Sequence, residues 1–200
     1  MTALPWLGVT GCLLFVLVFV LDGWTRPGYS PVRHPVSALA LGPRGWVQTS
    51  SFLVCGLAVT VGAFALAGAF GSVLLAVVVA AFGAAVVASG VFPMDPMRGY
   101  PPGTPNETPA EYSTRHRLHD HAGLVVFGAL PLAAGVAAFV LPGVGWTWYS
   151  ALSAAAALGG LLLFGAAWER DDPRAGLVQK ITIVVGWSWL GMLFANAAAS

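Results

Sequence analysis

The stretch Gly45–Met94 reads GWVQTSSFLVCGLAVTVGAFALAGAFGSVLLAVVVAAFGAAVVASGVFPM, fifty residues without one Asp, Glu, Lys or Arg. A helix needs about 20 apolar residues to cross a bilayer, so this run is too long for one crossing and fits two. Gly71-Ser72 falls near its middle and predicts a tight hairpin between helices 2 and 3. Apolarity here is continuous rather than alternating, which excludes a membrane barrel and leaves helices as the way to satisfy the backbone in lipid.

Working outward, the same pattern recurs. Met1–Leu21 carries no charge and predicts helix 1. Ala122–Trp168 supplies 47 more uncharged residues, divided by Pro142-Gly143-Val144-Gly145 into helices 4 and 5, and Ile181–Ser200 supplies helix 6. The expectation is all-α: a polytopic membrane protein, a single six-transmembrane-helix bundle over residues 1–200, with spans at about 4–22, 47–70, 73–92, 121–141, 147–168 and 179–198. The apolar N-terminus lacks a preceding Lys or Arg, and Asp22 and Trp24 stand where small cleavage-site residues belong, so it reads as a retained helix. The two cysteines, Cys12 and Cys55, read as isolated buried thiols.

Composition agrees. Of the 200 residues, 58% are hydrophobic and 8% charged, with mean hydropathy +0.80, whereas soluble domains carry about 25% charged residues. The lipid bilayer is therefore the expected partner. A net charge of +1 gives no electrostatic case for nucleic acid.

Small residues recur every fourth position at Ala80, Ala84 and Ala88, beside Ala81, Ala85 and Ser89, and again at Ala151, Ala155 and Gly159. That spacing predicts close packing, with helix 3 central to the bundle, and it is compatible with a homo-oligomer.

All nine Lys and Arg fall in or at the edges of three long connections, Asp22–Arg44, Pro93–Asp120 and Glu169–Lys180. The three long polar loops are thus expected on one face. By the excess of Lys and Arg they are expected in the cytoplasm, with both termini outside a multi-pass cell-membrane protein.

Candidate chemistry gathers on that face. Asp22, Asp95, Asp120 and Glu169 stand at helix ends and form a candidate acidic ring around one mouth. Asp120 is placed to cap helix 4. Asp95, Asp120 and His119 are the candidate catalytic residues, with imidazole suited to proton transfer near neutral pH. His116 and His119 share a helix face and are weak metal candidates, disfavoured by the flanking Arg115 and Arg117; no metal or cofactor is expected. Tyr29, Arg33, His34 and Ser37 in the stiff, proline-rich first loop are candidates for a phosphate or carboxylate head group. Trp24, Trp46, Gln48, Trp168 and Gln179 complete the candidate substrate-binding set. Trp187 and Trp189 lie inside helix 6, too deep for interfacial anchors.

Several of these pieces, His34-Pro-Val-Ser37, Gly42, Gly45-Trp-Val-Gln48, Gly90-Val-Phe-Pro-Met-Asp-Pro96, His119-Asp-His-Ala-Gly123 and Gly176-Leu-Val-Gln-Lys-Ile181, span most of the chain. In them the sequence resembles the bacterial and archaeal family of small membrane proteins known as domain of unknown function 998. The resemblance implies the same six-helix fold and brings no activity. The leading functional expectation is a membrane-embedded site at the cytoplasmic face that handles a lipid-like or isoprenoid substrate, a prenyl cyclisation being one reaction of that shape. The alternatives are a non-catalytic scaffold, accessory subunit or lipid-binding module and, last, a transporter, whose midplane would hold serines but no ionisable group.

Overall fold

The computed structural model describes residues 3–200. Its helices are α1 (Leu4–Thr25), α2 (Gly45–Phe70), α3 (Val73–Val91), α4 (Thr114–Val140), α5 (Val144–Glu169) and α6 (Ala175–Ala199), with a 3-10 turn at Val36–Ala40. All six are long and apolar enough to cross a membrane, and no strand occurs among the described residues. The expected all-α, six-helix class holds.

The hairpin in the long apolar run forms where expected. Gly71 ends α2 in the left-handed region at φ 63°, and the Ser72 hydroxyl accepts from the Leu75 N–H at 3.2 Å to start α3. Neighbours in sequence pack as neighbours in space, and α1 meets α6 to close the ring. Aromatic rings fill its centre. Phe15 of α1 stacks on Trp187 of α6 with centroids 4.1 Å apart, while Phe82 of α3 meets that indole edge-on at 5.3 Å. Trp189 turns the other way and donates its Nε1–H to Ser150 Oγ on α5 at 3.1 Å. The two deep tryptophans are core residues, Trp187 packed among aromatic rings and Trp189 hydrogen-bonded.

Close helix packing is carried by glycines rather than by the alanine rows. A Cβ at Gly83 would lie 2.7 Å from the Thr60 nitrogen, and one at Gly56 would lie 2.8 Å from the Gly83 carbonyl oxygen. So α2 and α3 touch backbone to backbone. In the helix 3 row only Ala85 and Ser89 are buried, and Ala81 and Ala84 are exposed. The Ala151, Ala155, Gly159 row on α5 also looks outward: α5 buries only Ser150, Ser153 and Ala157. Spacing identifies a smooth helix face but not which neighbour it meets. Helix 3 is nonetheless well enclosed, second to α6.

Helix α4 begins seven residues before the expected span. Ser113 caps it, its hydroxyl accepting from the His116 N–H at 3.1 Å, so Asp120 does not cap the helix and stands in its second turn. The onset of apolarity marks where lipid begins, whereas the backbone starts to coil where a cap permits it.

The three long connections touch one another. Arg33 Nη2 donates to Asn106 Oδ1 at 2.7 Å, Arg98 donates to the Trp168 carbonyl at 2.9 Å and pairs with Asp171, and Lys180 donates to the His34 carbonyl at 2.7 Å. They therefore lie at one end of the bundle, called the charged end below. The first connection is not a solvated loop: Val36, Ala38 and Leu39 are buried and close the ring from above.

Candidate functional site

Two adjoining spaces lie beneath that closure. The outer one, about 420 Å³, opens between α4 and α5 and is lined on its polar side by His116, His119, Asp120, Glu169 and Gln179, and on its apolar side by Leu161, Phe164 and Trp168. The inner one is small, about 50 Å³, and reaches the bundle centre at Phe15, Phe52, Val86 and Trp187. Ser37, His119, Gly123, Phe127 and Gln179 line both, so they form the throat between them.

The throat is built by local sequence. Ser37 is delivered by the 3-10 turn, whose position is held by Gln179: its Oε1 accepts from the Val36 N–H at 2.7 Å. Gly123 has open space where a Cβ would stand. Pro131, inside α4, has no N–H to give the Phe127 carbonyl one turn earlier, leaving that oxygen without its helical donor at the throat's level.

His119 Nδ1 lies 2.8 Å from the Phe92 carbonyl at the end of α3. A carbonyl only accepts, so Nδ1 carries the hydrogen and the neutral ring keeps its lone pair on Nε2. His116 has the opposite tautomer. Its Nδ1 accepts from the Asp95 N–H at 2.9 Å, so its Nε2–H faces Asp120 Oδ2 at 3.3 Å. The His116 ring is buried, stacked on Tyr112 with centroids 4.2 Å apart. Among the described residues no three His, Cys, Asp or Glu side chains gather as a metal site.

Of the sequence-predicted residues, His119, Asp120, Ser37, Trp168 and Gln179 come together around these spaces. Asp95 stands beside them in another role. Its carboxylate accepts from Ser113 N at 2.7 Å and from Ser113 Oγ at 2.6 Å. Partial burial pushes its pKa up, but the two Ser113 hydrogen bonds and the nearby His116 outweigh it and hold the carboxyl below the ordinary 3.8. Asp95 thus fastens the start of α4 and orients His116.

The other candidates are placed elsewhere. Tyr29 is buried, its hydroxyl 3.1 Å from the carbonyls of both His34 and Pro35, and burial pushes its phenol up. His34 accepts from the Ser30 N–H at 2.9 Å and packs against Tyr29 and Tyr100; burial pulls its pKa down. Arg33 is engaged by Asn106 through Nη2, with Nε buried and unpartnered. Trp24 and Trp46 are exposed at the bundle's rim, at 78% and 69%. Gln48 is fully buried in α2, one turn from Phe52, with neither amide atom hydrogen-bonded. Asp22 is not part of the mouth: it is buried and paired with Arg26 and, at 2.6 Å, Arg44.

Sequence reasoning missed Gly123, Phe127, Phe15, Phe52 and Val86 as lining residues. In a chain this apolar, nothing marks a residue that faces a cavity apart from one that faces a neighbour. The displaced helical donor at Pro131 was the one available signal.

A family model described as Protein of unknown function (DUF998) matches residues 9–196. No curated protein matches the chain. No solved structure matches it.

Proposed function

This chain belongs to the DUF998 family, and we propose that it carries a membrane-embedded site which admits a lipid-like or isoprenoid molecule between α4 and α5 and performs proton transfer on it at His119 and Asp120. The observation that carries this reading is the throat. A space open on the lipid side, walled by Phe164 and Leu161, narrows at an imidazole with a free lone pair and continues into an aromatic chamber. A soluble metabolite needs no such apolar approach, whereas an amphiphile entering from the membrane does. His119 Nε2 takes up or returns the proton, and the Asp120 carboxylate, near the polar rim, favours the imidazolium that forms. Phe15, Phe52 and Trp187 wall the inner space, which at about 50 Å³ takes the tip of an apolar chain while its body stays in the outer space. A prenyl cyclisation in the outer space is one reaction of this shape: it gains one proton, loses another and needs no co-reactant.

The binding half of the proposal is tested at Gly123, where a side chain fits the fold but fills the throat. Native mass spectrometry of gently purified wild-type protein should show a stoichiometric lipid or prenyl adduct. In Gly123→Leu its occupancy should fall at least about tenfold. Wild-type protein without an adduct, or an adduct indifferent to this substitution, speaks against the site.

We further place the charged end in the cytoplasm and both termini outside, on the strength of the Lys and Arg excess. A reporter at Ser200 active only in the cytoplasm should stay dark; a bright one reverses the orientation.

A second reading is a non-catalytic membrane module that docks through α5. The outward row Ala151, Ala155 and Gly159 favours it, since α5 is the least enclosed helix. Under that reading substitutions at His119 leave function intact.

A further inference from the structure

A third space lies between α1 and α6. It is about 370 Å³, walled by Phe19, Val20, Val184 and Val185, with Trp24 and Lys180 at its charged end. Its outer edge faces lipid: Ile181 and Val184 are exposed hydrophobics.

Lys180 is the only charged residue that lines it. Its Nζ donates to the His34 carbonyl at 2.7 Å and to the Gly176 carbonyl at 3.3 Å, and lies 5.2 Å from the Tyr29 ring centroid. An ammonium has three N–H groups, and these carbonyls take two of them without supplying a counter-charge. No carboxylate pairs with it among the described residues. The nearby carboxylate at the end of α1, Asp22, is already shared between Arg26 and Arg44. This corner therefore carries more cation than anion, at the top of an apolar groove wide enough for an acyl chain.

We infer that the α1/α6 groove is a binding site for an anionic phospholipid, with its phosphate at Lys180 and an acyl chain along Val184, Val185 and Phe19. The chemistry of recognition is one negative head-group charge above an apolar tail. A zwitterionic lipid has the same tail, but its own ammonium competes for the phosphate. Gln179 and Lys180, consecutive on α6, then serve different spaces: Gln179 holds the throat's roof, and Lys180 meets a lipid outside the ring. The site does not depend on the chemistry assigned to His119.

The experiment is lipid retention in native mass spectrometry of delipidated full-length protein, titrated with phosphatidylglycerol or phosphatidylcholine of identical chains. Wild-type protein should retain phosphatidylglycerol about fivefold better, the advantage expected of one Lys near a membrane surface. Lys180→Gln should erase that preference, and Lys180→Arg should keep it. Because Lys180 also ties the first connection, Val184→Trp provides an independent arm: it fills the groove from the lipid side and should lower retention of both lipids. His119→Gln should leave phosphatidylglycerol retention unchanged, which separates this site from the throat. Equal retention of the two lipids by wild type, a preference that survives Lys180→Gln, or retention of both lipids unchanged in Val184→Trp overturns the inference. So does displacement of phosphatidylglycerol by millimolar inorganic phosphate alone, which would make a free anion the ligand.

Discussion

Asp22→Asn should destabilise the protein by about 3–5 kcal/mol, the range expected when one partner is removed from a buried ion pair. Asp22 is 3% exposed and Arg26 7%, and the two guanidinium groups of Arg26 and Arg44 share this one carboxylate. Neutralising it leaves Arg26 buried with its charge unbalanced. The carbonyls of Leu39, Leu41 and Arg44, which Arg26 also binds at 3.1, 3.2 and 2.8 Å, satisfy its hydrogens but do not cancel its charge. Those three carbonyls belong to the first connection, so the damage should spread to the closure over the ring. The double change Asp22→Asn with Arg26→Gln removes both charges together and keeps an amide donor for the carbonyls of the first connection, so it should recover part of the loss. Unfolding in a denaturing detergent series measures all three proteins. A single variant within about 0.5 kcal/mol of wild type, the range of ordinary surface substitutions, would show that the cluster is screened by solvent.

This cluster also shows where reading the sequence stops. Asp22 at the end of an apolar run is legible as an interfacial acid, and Arg26 one turn later as its i, i+4 neighbour. That Arg44, 22 residues on, returns to the same carboxylate depends on the folded path of the first connection. The helices were legible for a stronger reason: fifty uncharged residues around Gly71-Ser72 admit few backbone solutions in lipid. The start of α4 comes out late when the span is read from the onset of apolarity, although the i, i+3 pair His116 and His119 already suggests a helix. That polar turn is held by Ser113 and, through Ser113, by Asp95. Of the candidate site, the polar members His119, Asp120, Ser37 and Gln179 could be picked out, since polar groups are scarce in this chain. Tyr29, His34 and Arg33 could be picked out for the same reason, but they serve to fold the first connection. Scarcity marks a polar residue as consequential without saying whether its partner is a substrate or a carbonyl.

His119→Gln separates these possibilities with the largest effect on function. Glutamine keeps a donor for the Phe92 carbonyl and roughly the same bulk, but it has no lone-pair nitrogen to accept a proton. If His119 is the proton-transfer group, conversion of the membrane-derived substrate should fall by about 10²–10⁴-fold, while the adduct seen by native mass spectrometry remains. Asp120→Asn should cost less, since Asp120 stands at the exposed rim and acts on the imidazole through charge. Asp95→Asn should act differently again, loosening the Ser113 cap and so lowering stability more than turnover. The readout is the lipid and terpenoid profile of cells expressing each variant, compared at equal protein level with cells lacking the protein. A profile that changes with wild type and reverts with His119→Gln, the adduct persisting, assigns chemistry to the throat. If His119→Gln and Asp120→Asn both leave the wild-type profile unchanged, proton transfer is excluded; a lipid still held across Gly123 would then make this protein a binding module, with α5 as the face to search for its partner.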